Sequence, residues 1–386
     1  MKESIYIRNL GPIHEINIEE IRPLTVFIGK SGSGKSTLMK AIALFRWIHK
    51  MHNIRSFLKH SNISKSPFRF RMETYLKNCG FDKFINASTE IEYITTSSSG
   101  REYKIGFSGK KLRGTTSNAD IIDQHDLLFN KISFISEYRN IIPLWADRGA
   151  AAAGAYLGFY FHEGFNDFDI ASEAIKELEF PYLDLKLIVR KTHFGKKFLV
   201  MGTKGAEYEI DLKNSSSGQQ NAIPVTAIAE YYSKHFDFDL AINSSIIKFL
   251  GHTGRLKDFK PIQDLSDIQK KVFIHIEEPE LSLYPDAQCQ LVASLISNCF
   301  LNSHNNIELM FSTHSPYIIN YLNLLMRAND RNSLIDNAKL PYEDLAVFLI
   351  DEGSNQDLMV QNVRLVNTNP LSNPINDIYD RYSRLD

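Results

Sequence analysis

The sequence predicts an α/β fold with a mainly parallel sheet, and three observations carry that prediction. Short apolar runs at Leu24–Ile28, Val272–Ile276, Ile307–Phe311 and Leu345–Ile350 read as buried strands, with helix-like segments between the later ones. A glycine-rich loop joins the first of these runs to a helical pattern. The second and third runs stop abruptly at charged or polar clusters, which places those clusters at the carboxyl edge of a sheet, where ligands of open α/β sheets bind.

Taken in order, Ile5-Tyr6-Ile7-Arg8 and Ile16-Asn17-Ile18 are short β signals that precede the Leu24 strand. Helical patterning runs from Ser36 to about Leu58, and a second helix covers about Met72 to Asn78. Thr89 to Phe107 alternates like a hairpin or meander, and Ser97-Ser98-Ser99-Gly100 inside it needs only to be a turn. A segment rich in Ala, Glu and aromatics predicts a helical lobe between about Asn140 and Leu178, after which Leu185 to Ile210 returns to strand and turn character. A helix over about Ala222–Phe236 follows, then a polar linker around Gly251–Asp267. The last twenty residues, with Asn369-Pro370 and Asn373-Pro374, lack a core pattern and read as a tail. There is no internal repeat and no heptad run long enough for a coiled-coil arm.

A chain of 386 residues that is 43% hydrophobic can bury a large core. Its net charge of −1 argues against a surface that attracts nucleic acid everywhere. Two local basic clusters stand out: Arg55, Lys59, Lys65, Arg69 and Arg71 interleaved with Phe57, Phe68 and Phe70, and Lys186, Arg190, Lys191, Lys196 and Lys197. Either is a candidate phosphate-binding face, although charge runs more often solvate a surface. Cys79, Cys289 and Cys299 form no Cys-x-x-Cys pair and fit free thiols in a reducing compartment, so the cytoplasm is the expected address. No apolar stretch is long enough to span a bilayer, and no membrane partner is expected.

The glycine-rich loop carries the most chemistry. Gly29-Lys30-Ser31-Gly32-Ser33-Gly34-Lys35-Ser36-Thr37 meets the Gly-x4-Gly-Lys-Ser/Thr pattern of a P-loop at a strand-to-helix turn. Glycine lets the backbone fold around phosphates, and the helix N-terminus supplies about half a positive charge. Lys35 is expected to reach the β and γ phosphates and the Ser36 hydroxyl to ligate Mg²⁺, so the expected cofactors are ATP and Mg²⁺. The strand ending at Ile276 runs into Glu277-Glu278-Pro279-Glu280, which suits an acid that helps hold Mg²⁺ and a group that deprotonates or orients the attacking water. The strand ending at Phe311 runs into Ser312-Thr313-His314-Ser315-Pro316, where an imidazole could contact the γ-phosphate; a lone strand-end histidine is more often structural or solvated, and the order of the motifs is what singles this one out. Asn214-Ser215-Ser216-Ser217-Gly218-Gln219-Gln220 precedes a helix and reads as an N-cap whose amides can hold an anion.

These four motifs, in this order, resemble the ATP-binding-cassette ATPase heads of the SMC and OLD type, and among them the compact OLD- and Septu-type bacterial defence ATPases. The resemblance implies a P-loop NTPase head with a mixed sheet and an inserted helical lobe. Its core would occupy about residues 1–45, 85–135 and 185–365, with helical insertions at about 46–84 and 136–184 and a tail at 366–386. It further implies a homodimer or higher even oligomer that sandwiches ATP between the Gly29–Thr37 loop of one copy and Ser217, Gly218 and Gln219 of another. In that scheme Glu277 helps hold Mg²⁺, Glu278 is the catalytic base and His314 senses the γ-phosphate.

Three features depart from the family pattern: Glu277 stands where Asp is usual, Ser-Ser-Gly-Gln-Gln replaces Leu-Ser-Gly-Gly-Gln, and Ser282-Leu283-Tyr284-Pro285 replaces a Leu-His-Pro ending. The glutamine of a Q-loop has no clear position, Gln124 being the nearest candidate and a solvated helix end the blander reading. About seventy residues follow His314, too few for the Toprim nuclease of OLD relatives, so the resemblance implies a separate effector, nuclease or toxin, in anti-phage defence. A DNA-binding repair ATPase and a nucleotide switch with negligible hydrolysis are the competing expectations, and a transporter subunit fits less well.

Overall fold

The computed structural model describes residues 1–63, 72–109, 111–114, 121–147, 158–193, 195–204, 208–252, 259 and 268–385. The amino-terminal elements are β1 (Lys2–Leu10), β2 (Ile13–Ile18), β3 (Leu24–Ile28), α1 (Lys35–His60), α2 (Met72–Asn78), β4 (Glu90–Thr96), β5 (Glu102–Ser108), β6 (Lys111–Gly114) and β7 (Leu128–Ile135). Helices α3 (Ile142–Asp147) and α4 (Phe159–Ala174) follow, then β8 (Glu177–Phe180), β9 (Leu185–Thr192), β10 (Gly195–Gly202) and β11 (Glu209–Asp211). The carboxyl-terminal part holds α5 (Ser217–Glu230), α6 (Phe238–His252), β12 (Gln269–Glu277), α7 (Pro285–Ile296), β13 (Ile307–Thr313), α8 (Pro316–Asp330), β14 (Leu345–Asp351), β15 (Ser354–Asp357), β16 (Met359–Val360), β17 (Leu365–Val366) and α9 (Asn369–Ser383).

Eleven strands form the main sheet in the order β6-β5-β4-β1-β2-β15-β14-β3-β13-β12-β7. The sheet is mixed rather than mainly parallel. Strands β14, β3, β13, β12 and β7 run parallel, whereas β1, β2, β4, β5 and β6 form an antiparallel meander. Short turns join β1 to β2, β4 to β5 and β5 to β6, and a turn of a few residues can only reverse a chain, whereas parallel neighbours need a crossover; β1 and β4, far apart in sequence, pair antiparallel where the two groups meet. Strands β8 to β11 make a separate antiparallel sheet.

Strand β3 shows how the sequence builds the core. All five of its residues are buried. Leu24, Val26 and Ile28 join one apolar cluster with α5, α7 and α8, while Phe27 joins a second with α1 and the β1–β2 hairpin. The period of two sends alternate side chains to opposite faces, and helices cover both.

A charged cluster lies inside this apolar frame. Arg46 of α1, 1% exposed, donates to Glu3 Oε2 at 2.7 and 2.8 Å and to Glu308 Oε2 at 3.1 Å. Its guanidinium also stacks 3.9 Å from the Phe273 ring centroid, beside His275 at 3.2 Å. The cluster ties α1 to β1, β12 and β13.

The expected strands at Leu24, Val272, Ile307 and Leu345 are present, as are helices over Ser36–Leu58 and Met72–Asn78. Helix α5 starts at Ser217, five residues earlier than the apolar pattern indicated, because Ser216 caps it. The terminal segment that read as a tail is helical as α9, with Pro370 in its first turn where a missing N–H costs nothing, and Leu371 packs against the core. Residues 148–157 of the expected lobe and most of the 251–267 linker lie outside the described residues.

Candidate functional site

The parallel strands bring their carboxyl ends to one edge. Register pairs Thr313 with Ile28 and Glu277 with Ser312, so the loops after β3, β12 and β13 start side by side. Those loops carry the glycine-rich motif, the glutamates and His314.

Gly34 caps α1 with φ 107°, a left-handed backbone that glycine adopts without penalty. The N–H groups of the first helical turn are therefore open toward the loop, and no acidic residue stands in that turn to neutralise them. Lys35 Nζ folds onto its own loop, donating to the Gly29 and Lys30 carbonyls at 2.8 Å each. Burial holds this ammonium below its ordinary pKa, against the pull of Glu278 and Glu280. The buried Ser33 hydroxyl has no hydrogen-bond partner. A cationic, donor-rich cradle with an unused donor fits a phosphate chain.

Glu277 is 2% exposed, and its Oε1 has no hydrogen bond. Its Oε2 accepts the Glu137 N–H at 3.4 Å, and Lys40 Nζ lies 3.6 Å from Oε1. A buried carboxylate oxygen that has a distant ammonium but no hydrogen bond fits a hard divalent cation. Among the described residues no group of three or more His, Cys, Asp or Glu is arranged to hold a metal, so Mg²⁺ would be shared between Ser36, Glu277 and phosphate oxygens.

Glu278 sits in the left-handed region at φ 45°, an uncommon backbone for a non-glycine residue. Its N–H donates to the Ser312 carbonyl at 2.9 Å, and its Oε1 is 3.1 Å from His314 Nε2. Glu280 holds the other side of the histidine, accepting the His314 N–H at 2.7 Å and the Thr313 hydroxyl at 2.8 Å. Burial raises the Glu280 carboxyl pKa, and its Oε2 is unpaired.

Arg139 was not singled out in the sequence, and it organises this edge. Fully buried, it donates to the carbonyls of Glu277 at 2.6 Å, Glu278, Ser136 and, on α5, Asn221 at 3.1 Å. Burial pulls its pKa down to about 10, opposed by Glu280, Glu278, Glu277 and Glu137. It follows β7, a largely buried strand that also ends in a polar cluster, Ser136-Glu137-Tyr138-Arg139. The rule that found Glu277 would have found it had Leu128–Ile135 been read as a strand. The same strand separates Gln124 from the site. Gln124 precedes β7 and lies at the opposite end of the sheet, whereas Glu137 occupies the site end.

The Ser217 segment is built differently from a bare glycine loop. Ser216 Oγ accepts the Gln219 N–H at 3.3 Å and the Gln219 side chain accepts the Ser216 N–H at 3.2 Å, a reciprocal capping box that commits Gln219 to its own helix. Ser217 is exposed at the helix start. Gly218 is buried against the loop after the glutamates, where a Cβ would lie 2.8 Å from the Ser282 carbonyl oxygen. Among the described residues, no hydrogen bond or ion pair joins Ser217, Gly218 or Gln219 to the P-loop of the same chain.

The basic clusters change character in three dimensions. Lys186, Arg190, Lys191, Lys196 and Lys197 pair respectively with Glu177, Glu209, Glu173, Asp169 and Asp211. Consecutive residues such as Arg190 and Lys191 point to opposite faces of the strand, so the cluster is a set of ion pairs divided between two faces, not a bare cationic stripe. Phe57 is buried and packs edge-on against Phe129, so it cannot stack on a base. Lys65, Phe68, Arg69, Phe70 and Arg71 lie outside the described residues. Among the described residues, no helix is long and apolar enough to cross a membrane. The three cysteines are free, and burial pushes the Cys79 thiol to about 11 and the Cys299 thiol to about 12.

Among solved structures, an Smc head bound to the C-terminal winged-helix domain of ScpA aligns over 94% of this chain and 98% of its own, at 13% identity and a TM-score of 0.40. The recombination mediator RecF with an ATP analogue aligns over 93% and 98%, at 11% identity and a TM-score of 0.36. The ATP-binding cassette MJ0796, a dimer with ADP and phosphate, aligns over 91% and 96%, at 11% identity and a TM-score of 0.32. Compared by sequence with curated proteins, the chain has no match. The decisive likeness is a sequence one. Residues 1–142 and 161–319, which include the P-loop, the Ser217 helix, the glutamates and His314, match the family profile described as AAA ATPase domain. With that match covering most of the chain and the motif residues gathered at one sheet edge, the protein belongs to the AAA ATPase domain family.

Proposed function

We propose that the protein binds ATP with Mg²⁺ and hydrolyses it at a site completed by a second copy of the chain. The observation that carries this reading is the convergence of Lys35, Glu277, Glu278 and His314 at the ends of three adjacent parallel strands, with Glu278 Oε1 3.1 Å from His314 Nε2. Lys35 and the open amides of α1 hold the β and γ phosphates. Mg²⁺, held by Ser36 and Glu277, supplies charge neutralisation on the phosphate oxygens. Glu278 takes a proton from the attacking water, and His314 stands at the same carboxylate to meet the γ-phosphoryl group.

Two features support a second copy. Ser217 is exposed and makes no hydrogen bond to its own P-loop among the described residues, which leaves its helix start accessible to the nucleotide of another chain. Tyr138, Tyr284 and Tyr317, 55, 79 and 55% exposed, follow the carboxyl ends of β7, β12 and β13 and rim the site with the residue type favoured at interfaces. Glu278→Gln should therefore retain ATP and accumulate as a dimer by analytical ultracentrifugation, while remaining monomeric in ADP. A dimer equally populated without nucleotide would defeat the coupling of ATP to assembly.

The wider role we propose is control of a separate effector, nuclease or toxin, in anti-phage defence, supported by the motif resemblance. Copurification from the native operon, with and without ATP, tests it: recovery of an encoded neighbour supports the reading, and recovery of the ATPase alone in both states opposes it. A nucleotide switch with negligible turnover is the second reading. It is favoured by Lys40, whose ammonium stands 3.6 Å from the Glu277 oxygen that Mg²⁺ needs. Wild-type turnover no faster than that of Glu278→Gln would select it.

A further inference from the structure

A cavity of about 260 Å³ lies between α1, β7, α4, α6 and the turn that follows α5. Lys50 on its wall is fifteen residues along α1 from Lys35, about 22 Å down the helix axis, so the cavity is distinct from the phosphate cradle. Its walls are apolar, formed chiefly by Ile54, Phe129, Tyr232, Phe236, Ile242 and Ile246, and exposed Ile170 stands at its rim.

Two polar groups interrupt that lining without partners. Asn130 is 4% exposed and borders the cavity, and neither its side-chain oxygen nor its nitrogen makes a hydrogen bond. Buried amides are almost always satisfied, and an empty one marks a place for a missing partner. Lys50 also lines the cavity and, among the described residues, makes no hydrogen bond or ion pair. The neighbouring charges do not serve it. Lys131 is already bound to Asp167 at 2.9 Å, and Asp167 also accepts from Ser133 at 2.6 Å and Tyr232 at 2.7 Å. Glu163 is near enough to favour the charged amine but forms no ion pair with it, and burial leaves Lys50 at about 8, still mainly cationic at neutral pH.

We propose that this cavity binds a small apolar carboxylate, with the hydrocarbon or aromatic body against the aliphatic and aromatic walls, the carboxylate on Lys50 and the Asn130 amide donating to it. The volume corresponds to roughly nine water-sized groups, which admits a body of about ten heavy atoms. A largely apolar pocket with a few convergent polar groups is the usual construction of a small-molecule site. The ligand would bridge α1, which carries the P-loop, and the turn after α5, which carries Ser217, so it is placed to bias how those helices sit.

Titration calorimetry of the whole protein with octanoate, 3-phenylpropanoate and the neutral twin 1-octanol tests the site. At least one carboxylate is expected to bind one to one, at least tenfold tighter than octanol. Lys50→Met should bring carboxylate and alcohol within twofold, Asn130→Leu should weaken the carboxylate, and Ile242→Trp should abolish binding by filling the space. The wild-type comparison of acid and alcohol needs no variant to fold. Absence of saturable binding by both carboxylates, equal affinity for octanol, or an acid preference untouched by Lys50→Met would overturn the proposal.

Discussion

Glu278 Oε1 lies 3.1 Å from His314 Nε2, while Glu280 accepts the main-chain N–H of the same histidine at 2.7 Å. One glutamate thus fixes where the histidine stands and the other meets its ring. Because Glu278 and His314 touch, they should act as a unit. Glu278→Gln is expected to lower ATP turnover by about 100-fold or more, within the range for loss of a general base. His314→Ala should lower it less, and the double variant should fall no further than Glu278→Gln alone. Steady-state phosphate release measures all three, and additive losses would show that the contact has no catalytic meaning.

Lys40 and Mg²⁺ compete for Glu277. With the ammonium 3.6 Å from Oε1, Lys40→Gln should lower the Mg²⁺ concentration needed for half-maximal ATP binding by about fivefold, roughly 1 kcal/mol. Glu277→Ala should instead raise it. The two variants titrated with Mg²⁺ at fixed ATP give opposite shifts if the carboxylate is the metal ligand.

The buried Arg46 cluster predicts a stability loss. Among the described residues Glu3 has its ion pair with Arg46 alone. Arg46→Met leaves that carboxylate buried and uncompensated, at a cost of about 3–5 kcal/mol in denaturant unfolding. A loss below about 1 kcal/mol would mean that the cluster is not desolvated as the fold indicates.

Two buried histidines predict acid sensitivity. Burial pulls His275 down to about 3, with Arg46 adding to the effect, and His49 to about 4. Below pH 6.5 the unfolded chain takes up protons at these positions and the folded chain does not, so stability falls as pH falls. The pair should cost up to about 4 kcal/mol between pH 7 and pH 5. His49→Gln with His275→Gln should flatten the slope of unfolding free energy across that window, and an unchanged slope would assign the acid response elsewhere.

The parallel half of the fold was legible because fully buried strands are written as short apolar runs. Strand β3 is five such residues before a glycine loop, and β12 and β13 announce their ends with Glu277-Glu278 and Thr313-His314. The antiparallel half was less legible in its direction, since alternation reveals a strand but not which neighbour it joins. Three determinants of the site had no local signal. The left-handed backbone of Glu278, the approach of Gly218 to Ser282 and the four carbonyls gathered by Arg139 all depend on contacts between distant segments. Nothing in its local sequence marks Arg139, and only burial at the end of β7 reveals that it spans the glutamates and α5.

The central claim is that ATP turnover needs the P-loop of one copy and Ser217 of another, and complementation tests it most directly. Lys35→Ala disables the cradle and Ser217→Arg the opposing helix, so each pure variant should be inactive. In an equimolar mixture, half of the two-fold dimers are mixed and one of their two sites is intact, so turnover should recover to about a quarter of wild type. A mixture that forms mixed dimers yet stays as inactive as its parents would contradict a composite site.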